Sequence, residues 1–365
     1  MKVVTVVGAR PQFIKAAAVS RELRQRHQEV LVHTGQHYDY EMSGIFFDGL
    51  EMSPPELNLG VGSGSHAAQT GAMLKGIESV LLAEKPDCLL IYGDTNSTLA
   101  GALAAAKLSV PVAHVEAGLR SFNRRMPEEI NRIVADRLSQ LLLCPSETAM
   151  QNLAAEGQAG HAHLVGDVML DVIEWAKQRL SSTPTGILAK LGLAERQYVL
   201  ATVHRSENTD DLARLNQILA AFNALGETVV FPVHPRTRKL IDTAASKVAS
   251  NVRLIEPVGY MQMVELSSAA RQILTDSGGL QKEAYWLGVP CITMRDETEW
   301  VETVAAGWNT LVGADSQRIL EASRTFRPNG THPSLYGDGF AARKCVSLLG
   351  NGAHVEGQER AEKGN

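Results

Sequence analysis

A chain of 365 residues exceeds the usual size of a single hydrophobic core, so two domains are expected. With 44% hydrophobic residues, 21% charged residues and a formal net charge of -5, the composition is that of a soluble globular protein. It excludes a nucleic-acid binder, whose phosphate partner selects basic surfaces, but not a ligand with one small diphosphate.

The opening run Val3–Val7 is too short for a signal peptide, and no stretch approaches the roughly 18 to 20 apolar residues of a membrane span. Further apolar runs follow at Leu89–Tyr92, Val112–Val115, Tyr198–Val203, Val229–Val233, Gln272–Thr275 and Pro290–Met294. Each leads into a turn bearing glycine, histidine or serine and then a helical pattern. That alternation predicts βα units around a buried parallel sheet, an α/β fold whose ligands sit at the carboxyl ends of the strands. Leu59–His66, with Gly60, Gly62 and Gly64, reads as a loop able to close over a ligand. The domain change is expected just after Gly166-Asp167, giving an N-terminal domain over 1–168 and a second over 169–339. A last helical stretch, Phe340–Leu349, precedes a polar tail, Glu356–Asn365, expected to be frayed. Cys88, Cys144, Cys291 and Cys345 are far apart without metal-ligand spacing, so no disulfide framework or metal site is expected, and a reducing cytoplasm is.

The candidate site residues lie where strands end. In Gly8-Ala9-Arg10-Pro11-Gln12-Phe13-Ile14-Lys15, Arg10 and Lys15 suit a diphosphate; without Gly-x-Gly-x-x-Gly, no nicotinamide cofactor is expected. Asp94 follows one strand, Glu116 follows another and leads into the turn Ala117-Gly118, and Glu128 opens a helix after Pro127. Three acids at one sheet rim suit acid–base chemistry. Each has a plainer explanation: Asp94 as a helix cap, Glu128 as a first-turn acid paired with Arg132 on a helix burying Ile130, Ile133, Val134 and Leu138. His204 ends a strand in the second half and could orient or protonate a phosphate leaving group; His234 ends another, and Arg295 follows the strand Pro290–Met294. The strongest signal is Asp276-Ser277-Gly278-Gly279, running through Glu283 to Gly288-Val289-Pro290. Two glycines and a helix start make an anion site, and Glu283 lies one turn in, within reach of ribose hydroxyls.

In this order, Gly-Asp-Thr, His-Val-Glu-Ala-Gly-Leu-Arg, Pro-Glu-Glu-x-Asn-Arg, His-Arg-x-Glu-Asn and Asp-Ser-Gly-Gly resemble the non-hydrolysing UDP-N-acetylglucosamine 2-epimerases over nearly the whole chain. The resemblance implies two Rossmann-like domains in the GT-B architecture, with the site in the cleft between them and the last helix, about 340–365, joining the first domain. It implies that Arg10, Lys15, Arg132, His204, Ser277, Gly278, Gly279 and Glu283 hold UDP, with His234 and Arg295 added as substrate-binding groups. Asp94, Glu116 and Glu128 would work on the sugar, with His204 beside them in catalysis. It implies a UDP-sugar substrate, no cofactor, no nucleic-acid or membrane partner, and a homodimer.

The sequence departs from the family at informative places. The usual Gly-Thr-Arg-Pro-Glu is Gly8-Ala9-Arg10-Pro11-Gln12, and the usual Thr-Glu-Arg-Pro-Glu is Thr298-Glu299-Trp300-Val301-Glu302. Tyr38 replaces the arginine of the family's Gln-His-Arg stretch, after Gln36-His37, and Leu59–His66 lacks another arginine. These changes resemble the branch acting on UDP-2,3-diacetamido-2,3-dideoxy-glucuronate and predict no need for UDP-N-acetylglucosamine as an allosteric activator. A GT-B glycosyltransferase, a hydrolysing 2-epimerase and a non-catalytic nucleotide-sugar sensor are the competing readings; the acids of the first domain and the Gly93-Asp94-Thr95-Asn96 turn favour the non-hydrolysing epimerase.

Overall fold

The computed structural model describes residues 1–36, 49–243, 247–328 and 330–350. The side chain of Arg10, residues His37 and Tyr38, and the tail Glu356–Asn365 lie outside the described residues. The chain divides into two compact units: Met1–Glu174 with the segment from Tyr336 onward, and Trp175–Leu335.

The first unit is built on seven parallel strands: β1 (Lys2–Val7), β2 (Gln28–His33), β3 (Leu57–Asn58), β4 (Cys88–Tyr92), β5 (Val112–Val115), β6 (Leu141–Cys144) and β7 (Ala162–Leu164). Their order is β3-β2-β1-β4-β5-β6-β7, so the winding reverses between β1 and β4. Both faces of this sheet are covered, which is why its strands read as continuous apolar runs. Val4, Val6, Val30, Val32, Leu89 and Ile91 form one core with Met73 and Ile77 of helix His66–Glu84 and Ala100 and Ala104 of helix Asn96–Lys107. The latter helix packs on small residues: a methyl on Gly101 would lie 3.0 Å from Ile91 Cγ2. Residues 341–350 form a helix in this unit. Asp171 accepts from the Ala341 and Ala342 N–H groups, at 3.0 and 2.8 Å, and so caps that helix.

The second unit repeats the scheme with six parallel strands: β8 (Tyr198–Thr202), β9 (Thr228–Pro232), β10 (Val252–Ile255), β11 (Gln272–Thr275), β12 (Cys291–Thr293) and β13 (Asn309–Leu311). The order is β10-β9-β8-β11-β12-β13, with the reversal between β8 and β11. The expected two-sheet, Rossmann-like α/β class is what the chain adopts. In such sheets the loops at the reversal point diverge and leave a crevice at the strands' carboxyl ends.

The loop read as a possible flap is instead tied to the sheet. Leu59, Val61 and Gly62 N–H groups donate to His33, Thr34 and Gly35 carbonyls at 2.8, 3.0 and 2.9 Å, extending the β2–β3 pairing. Gly35, at φ +82°, admits this approach because a side chain there would meet the Val61 nitrogen at 2.7 Å. The close packing is required at Gly35; an added methyl on Gly60 or Gly64 would meet nothing within 4 Å. Among the described residues no helix is long and apolar enough to cross a membrane, and no group of three or more His, Cys, Asp or Glu side chains could hold a metal ion. The four cysteines are buried and form no disulfide, with burial pushing the Cys144 and Cys291 thiols up to about 12.

Candidate active site

In the first unit the β1 and β4 turns are stitched together by Gln12, which is 1% exposed. Its carbonyl accepts from the Gly8 and Ala9 N–H groups at 2.8 and 3.1 Å, and its amide donates to Tyr92 O at 2.7 Å and Thr98 Oγ1 at 3.0 Å. Lys15, one turn into helix Arg10–Leu23, forms an ion pair with Glu116 at the end of β5. Both groups are largely buried, so each charge depends on the other. Glu116 has φ +69°, a left-handed backbone conformation unfavourable for a residue with a side chain. Gly93 lies beneath the pair: a methyl on it would sit 3.3 Å from Glu116 Oε2 and 3.4 Å from Lys15 Nζ.

Asp94 is not the helix cap. Thr95 caps helix Asn96–Lys107, with Thr98 completing the capping box, which leaves the Asp94 carboxylate for Arg132 at 2.5 Å. Asn131 Nδ2 holds the Asp94 carbonyl at 2.9 Å.

Helix Pro127–Leu138 buries a different face from the expected one. Its buried residues are Glu129, Asn131, Arg132, Ala135 and Asp136; Ile130 is 44% exposed, and Ile133, Val134 and Leu138 are half-buried. Arg132 pairs with Asp94 and Glu129, not with Glu128. Glu129 also accepts from Ser121 N, Ser121 Oγ and Phe122 N, which folds the preceding loop onto the helix. A buried face made of mutually paired charges is invisible to a hydrophobic pattern. Glu128, half-exposed at the helix start, makes no hydrogen bond or ion pair among the described residues.

In the second unit the reversal brings β8 and β11 together. Fully buried Asp276 accepts from His204 N at 3.1 Å, Arg205 N at 3.0 Å and Asn208 Nδ2 at 3.2 Å, and lies 3.1 Å from His204 Nδ1. Burial alone would raise this carboxyl, but the His204 hydrogen bond and charge, with the Arg205 and Asn208 donors, hold it below its ordinary range. An ionised Asp276 accepts a hydrogen bond from His204 Nδ1–H, which leaves Nε2 of the ring, 54% exposed, available to another partner.

Ser277 caps helix Gly278–Trp286 through Leu280 N at 3.4 Å, and the Gly278 and Gly279 N–H groups at the first turn have no intrahelical partner. A methyl on Gly278 would come within 3.7 Å of Arg205 and 3.4 Å of Trp300 Nε1, so a guanidinium and an indole donor flank the positive helix end. Glu283 is buried one turn in. Arg295, 2% exposed, directs its guanidinium to Glu299 at 2.9 Å. Burial would raise the Glu299 carboxyl, but Arg295 and the nearby Arg205 outweigh it and hold the group low.

Two charge-paired acids over a glycine turn in one unit, and a histidine and arginine beside an open helix start in the other, are the parts a nucleotide-sugar enzyme needs. The family model described as UDP-N-acetylglucosamine 2-epimerase matches residues 21–350. The chain belongs to the UDP-N-acetylglucosamine 2-epimerase family. Across 96% of its length it is 53% identical to the UDP-N-acetylglucosamine 2-epimerase homolog of Methanococcus maripaludis, all of which is covered. Over a like share it is 49% identical to the UDP-2,3-diacetamido-2,3-dideoxy-D-glucuronate 2-epimerase of Pseudomonas aeruginosa, 99% of which is covered. The crystal structure of Methanocaldococcus jannaschii UDP-GlcNAc 2-epimerase in complex with UDP-GlcNAc and UDP superposes with a TM-score of 0.88 at 40% identity, over 96% of this chain and 100% of that one.

Within this epimerase-family chain, the structure brings Lys15 to Glu116 and Arg132 to Asp94, and groups His204, Ser277, Gly278 and Gly279 around Asp276 and the open helix end. His234 stands apart: it is exposed, accepts from Arg236 N at 3.3 Å and has no hydrogen bond to His204 or Asp276. Sequence reasoning passed over Gln12, His114, Glu129, Asp136, Arg205 and Glu299 as site residues. The Asp276-Ser277-Gly278-Gly279 motif marks Asp276 without revealing the orienting role that its contacts give it. For Asp276 the signal was there, in an acid at a strand end beside the glycines. For Asp136, mid-helix among residues of every kind, there was none.

Proposed function

We propose that this chain inverts carbon 2 of a UDP-linked acetamido sugar without net hydrolysis, interconverting UDP-N-acetylglucosamine and UDP-N-acetylmannosamine. The observation that carries the reading is the pair of charge-matched carboxylates at the carboxyl ends of the neighbouring strands β4 and β5, Asp94 against Arg132 and Glu116 against Lys15. The C2 proton has no neighbouring carbonyl to acidify it, so the C1–O bond must break as that proton leaves. One carboxylate takes the proton, the C1–O electron pair departs with UDP, and a 2-acetamidoglycal remains. UDP then re-forms the C1–O bond as a proton reaches C2 from the opposite face. Glu128, at the start of the same helix as Arg132, belongs to the acid set. His204 Nε2, Arg205 and the first-turn N–H groups of helix Gly278–Trp286 take the departing diphosphate charge, where one preorganised donor is worth about 3 to 4 kcal/mol. Glu283 suits the ribose. The reading includes a cytoplasmic homodimer, which sedimentation would check.

Incubating the enzyme with candidate UDP-sugars in D₂O and following the C2 proton by NMR tests the reading. Deuterium at C2 of the product, with traces of UDP and glycal, is expected; inversion without solvent exchange refutes the elimination. A second substrate has its own support: Trp300 stands where the family carries arginine, and the 49% identical Pseudomonas relative is named for the 2,3-diacetamido uronate. The same assay with UDP-2,3-diacetamido-2,3-dideoxy-glucuronate decides between the two sugars.

A further inference from the structure

His114, in β5, is fully buried, and both its ring nitrogens face acceptors. Nε2 lies 2.6 Å from the Gly93 carbonyl oxygen and Nδ1 lies 2.7 Å from Asp136 Oδ1. A carbonyl can only accept. Asp136 accepts as well: burial alone would raise its carboxyl, but His114 and Arg120 outweigh burial and hold it low. His114 therefore donates from Nε2 to Gly93 and is held at Nδ1 by the Asp136 carboxylate.

The other Asp136 oxygen accepts from Gly118 N at 3.1 Å and from Arg120 at 2.7 Å, and Arg120 continues to Glu156 at 2.7 Å. One buried carboxylate thus anchors the chain two residues before Glu116 and two residues after it. Glu116 is the residue in the left-handed conformation, and the Gly93 that His114 grips lies directly under the Glu116–Lys15 pair. The acid-bearing turns after β4 and β5 are referred to the same fully buried point.

We propose that His114 and Asp136 are positioning residues for the epimerisation, fixing the Gly93–Asp94 turn and the strained Glu116 at the separation that proton transfer at C2 requires. The proposal rests on the reading that Asp94 and Glu116 handle that proton. Partners of this kind, one step removed from the reacting groups, commonly govern 10- to 100-fold of activity.

The test compares three variants with the wild type. His114→Gln keeps a nitrogen donor near the Nε2 position and so a grip on Gly93; His114→Asn keeps one near Nδ1 and loses Gly93; Asp136→Asn loosens both flanks. The expected result is a fall of about 10- to 100-fold in kcat per UDP-binding site for His114→Asn and Asp136→Asn, smaller for His114→Gln. UDP affinity should stay within about twofold, and released UDP plus glycal should rise relative to epimerised product, because a displaced acid fails to return the proton. A role in folding alone would lower the melting temperature and the fraction of sites that bind UDP while leaving kcat per site and that product ratio unchanged, and would overturn the proposal. Should the variants fail to fold, ¹⁵N-histidine NMR of the wild type still decides: a slowly exchanging Nε2–H proton on His114, as the bond to the Gly93 carbonyl requires, is expected, and its absence overturns the proposal. A wild type that exchanges no C2 proton on any UDP-acetamido sugar retires the functional reading and this proposal together. Normal exchange with unaltered His114→Asn kinetics retires this proposal alone.

Discussion

Gly93→Ala is a one-methyl probe of whether the Glu116–Lys15 pair sits at the reacting carbon. Gly93 has φ +58°, and alanine in that left-handed conformation costs about 1 to 2 kcal/mol. In a unit of this size that corresponds to a drop in melting temperature of roughly 2 to 8 °C. The methyl would stand 3.3 Å from Glu116 Oε2 and 3.4 Å from Lys15 Nζ, so the pair must retreat by a few tenths of an ångström. Displacements approaching an ångström cost about 10² in rate, so kcat should fall about 10- to 100-fold. UDP affinity should hold, because His204, Arg205, Glu283 and the first-turn N–H groups of helix Gly278–Trp286, the groups proposed to bind the diphosphate and ribose, all lie among residues 175–335. Gly157→Ala is the control: at φ +74° it carries the same backbone cost, and its methyl meets nothing within 4 Å. It should lose similar stability and keep its kcat. The assay is C2 exchange and inversion by NMR, with UDP titration calorimetry and a melting curve on each variant. If Gly93→Ala melts as expected yet keeps kcat within about threefold, the pair is structural and the site has been misplaced. If UDP binding falls in step with kcat, the methyl has damaged the fold instead.

Two further outcomes follow from the same geometry. Glu116→Gln and Asp94→Asn should lower turnover by about 10² or more while leaving UDP binding nearly intact, and Ser277→Ala or Glu283→Gln should do the reverse; kcat and calorimetric Kd for each variant separate the two groups. Asp136 and Asp276 are both held below the ordinary aspartate range, so the stability they contribute is present above about pH 4 and is lost as pH falls through their lowered values. Asp171 works in the opposite sense: burial pushes it up to about 6 despite the Ala341 and Ala342 donors, so its contribution is present in acid and lost as pH rises through about 6. Melting temperatures from pH 3 to 8 should therefore show Asp136→Asn and Asp276→Asn with a flatter acid limb than the wild type. An unchanged acid limb would mean that neither carboxylate carries its charge into the fold.

The sequence by itself determined the class of fold and the places where ligands would be met. A buried parallel strand must be apolar on both faces, so runs such as Val3–Val7 and Leu89–Tyr92 announce β1 and β4 with no information from the rest of the chain. A glycine-bearing turn followed by a helix start announces an anion site because both features are local, and Ser277 as cap to helix Gly278–Trp286 follows from three adjacent residues. What tertiary structure alone decided is which charges face one another. Lys15 and Glu116 are 101 residues apart, and Arg132 and Asp94 are 38 apart; nothing local to either pair encodes the contact. The helix carrying Arg132 shows why the pattern misled: a face of Glu129, Arg132 and Asp136 reads as the solvent side, until partners from β4, β5 and the Ser121–Phe122 loop neutralise it. Burying an ion costs several kcal/mol unless its partner and hydrogen bonds arrive with it. Only the assembled sheet rim brings those partners to one place, so the apolar core of this protein was legible in its sequence and its buried charges were not.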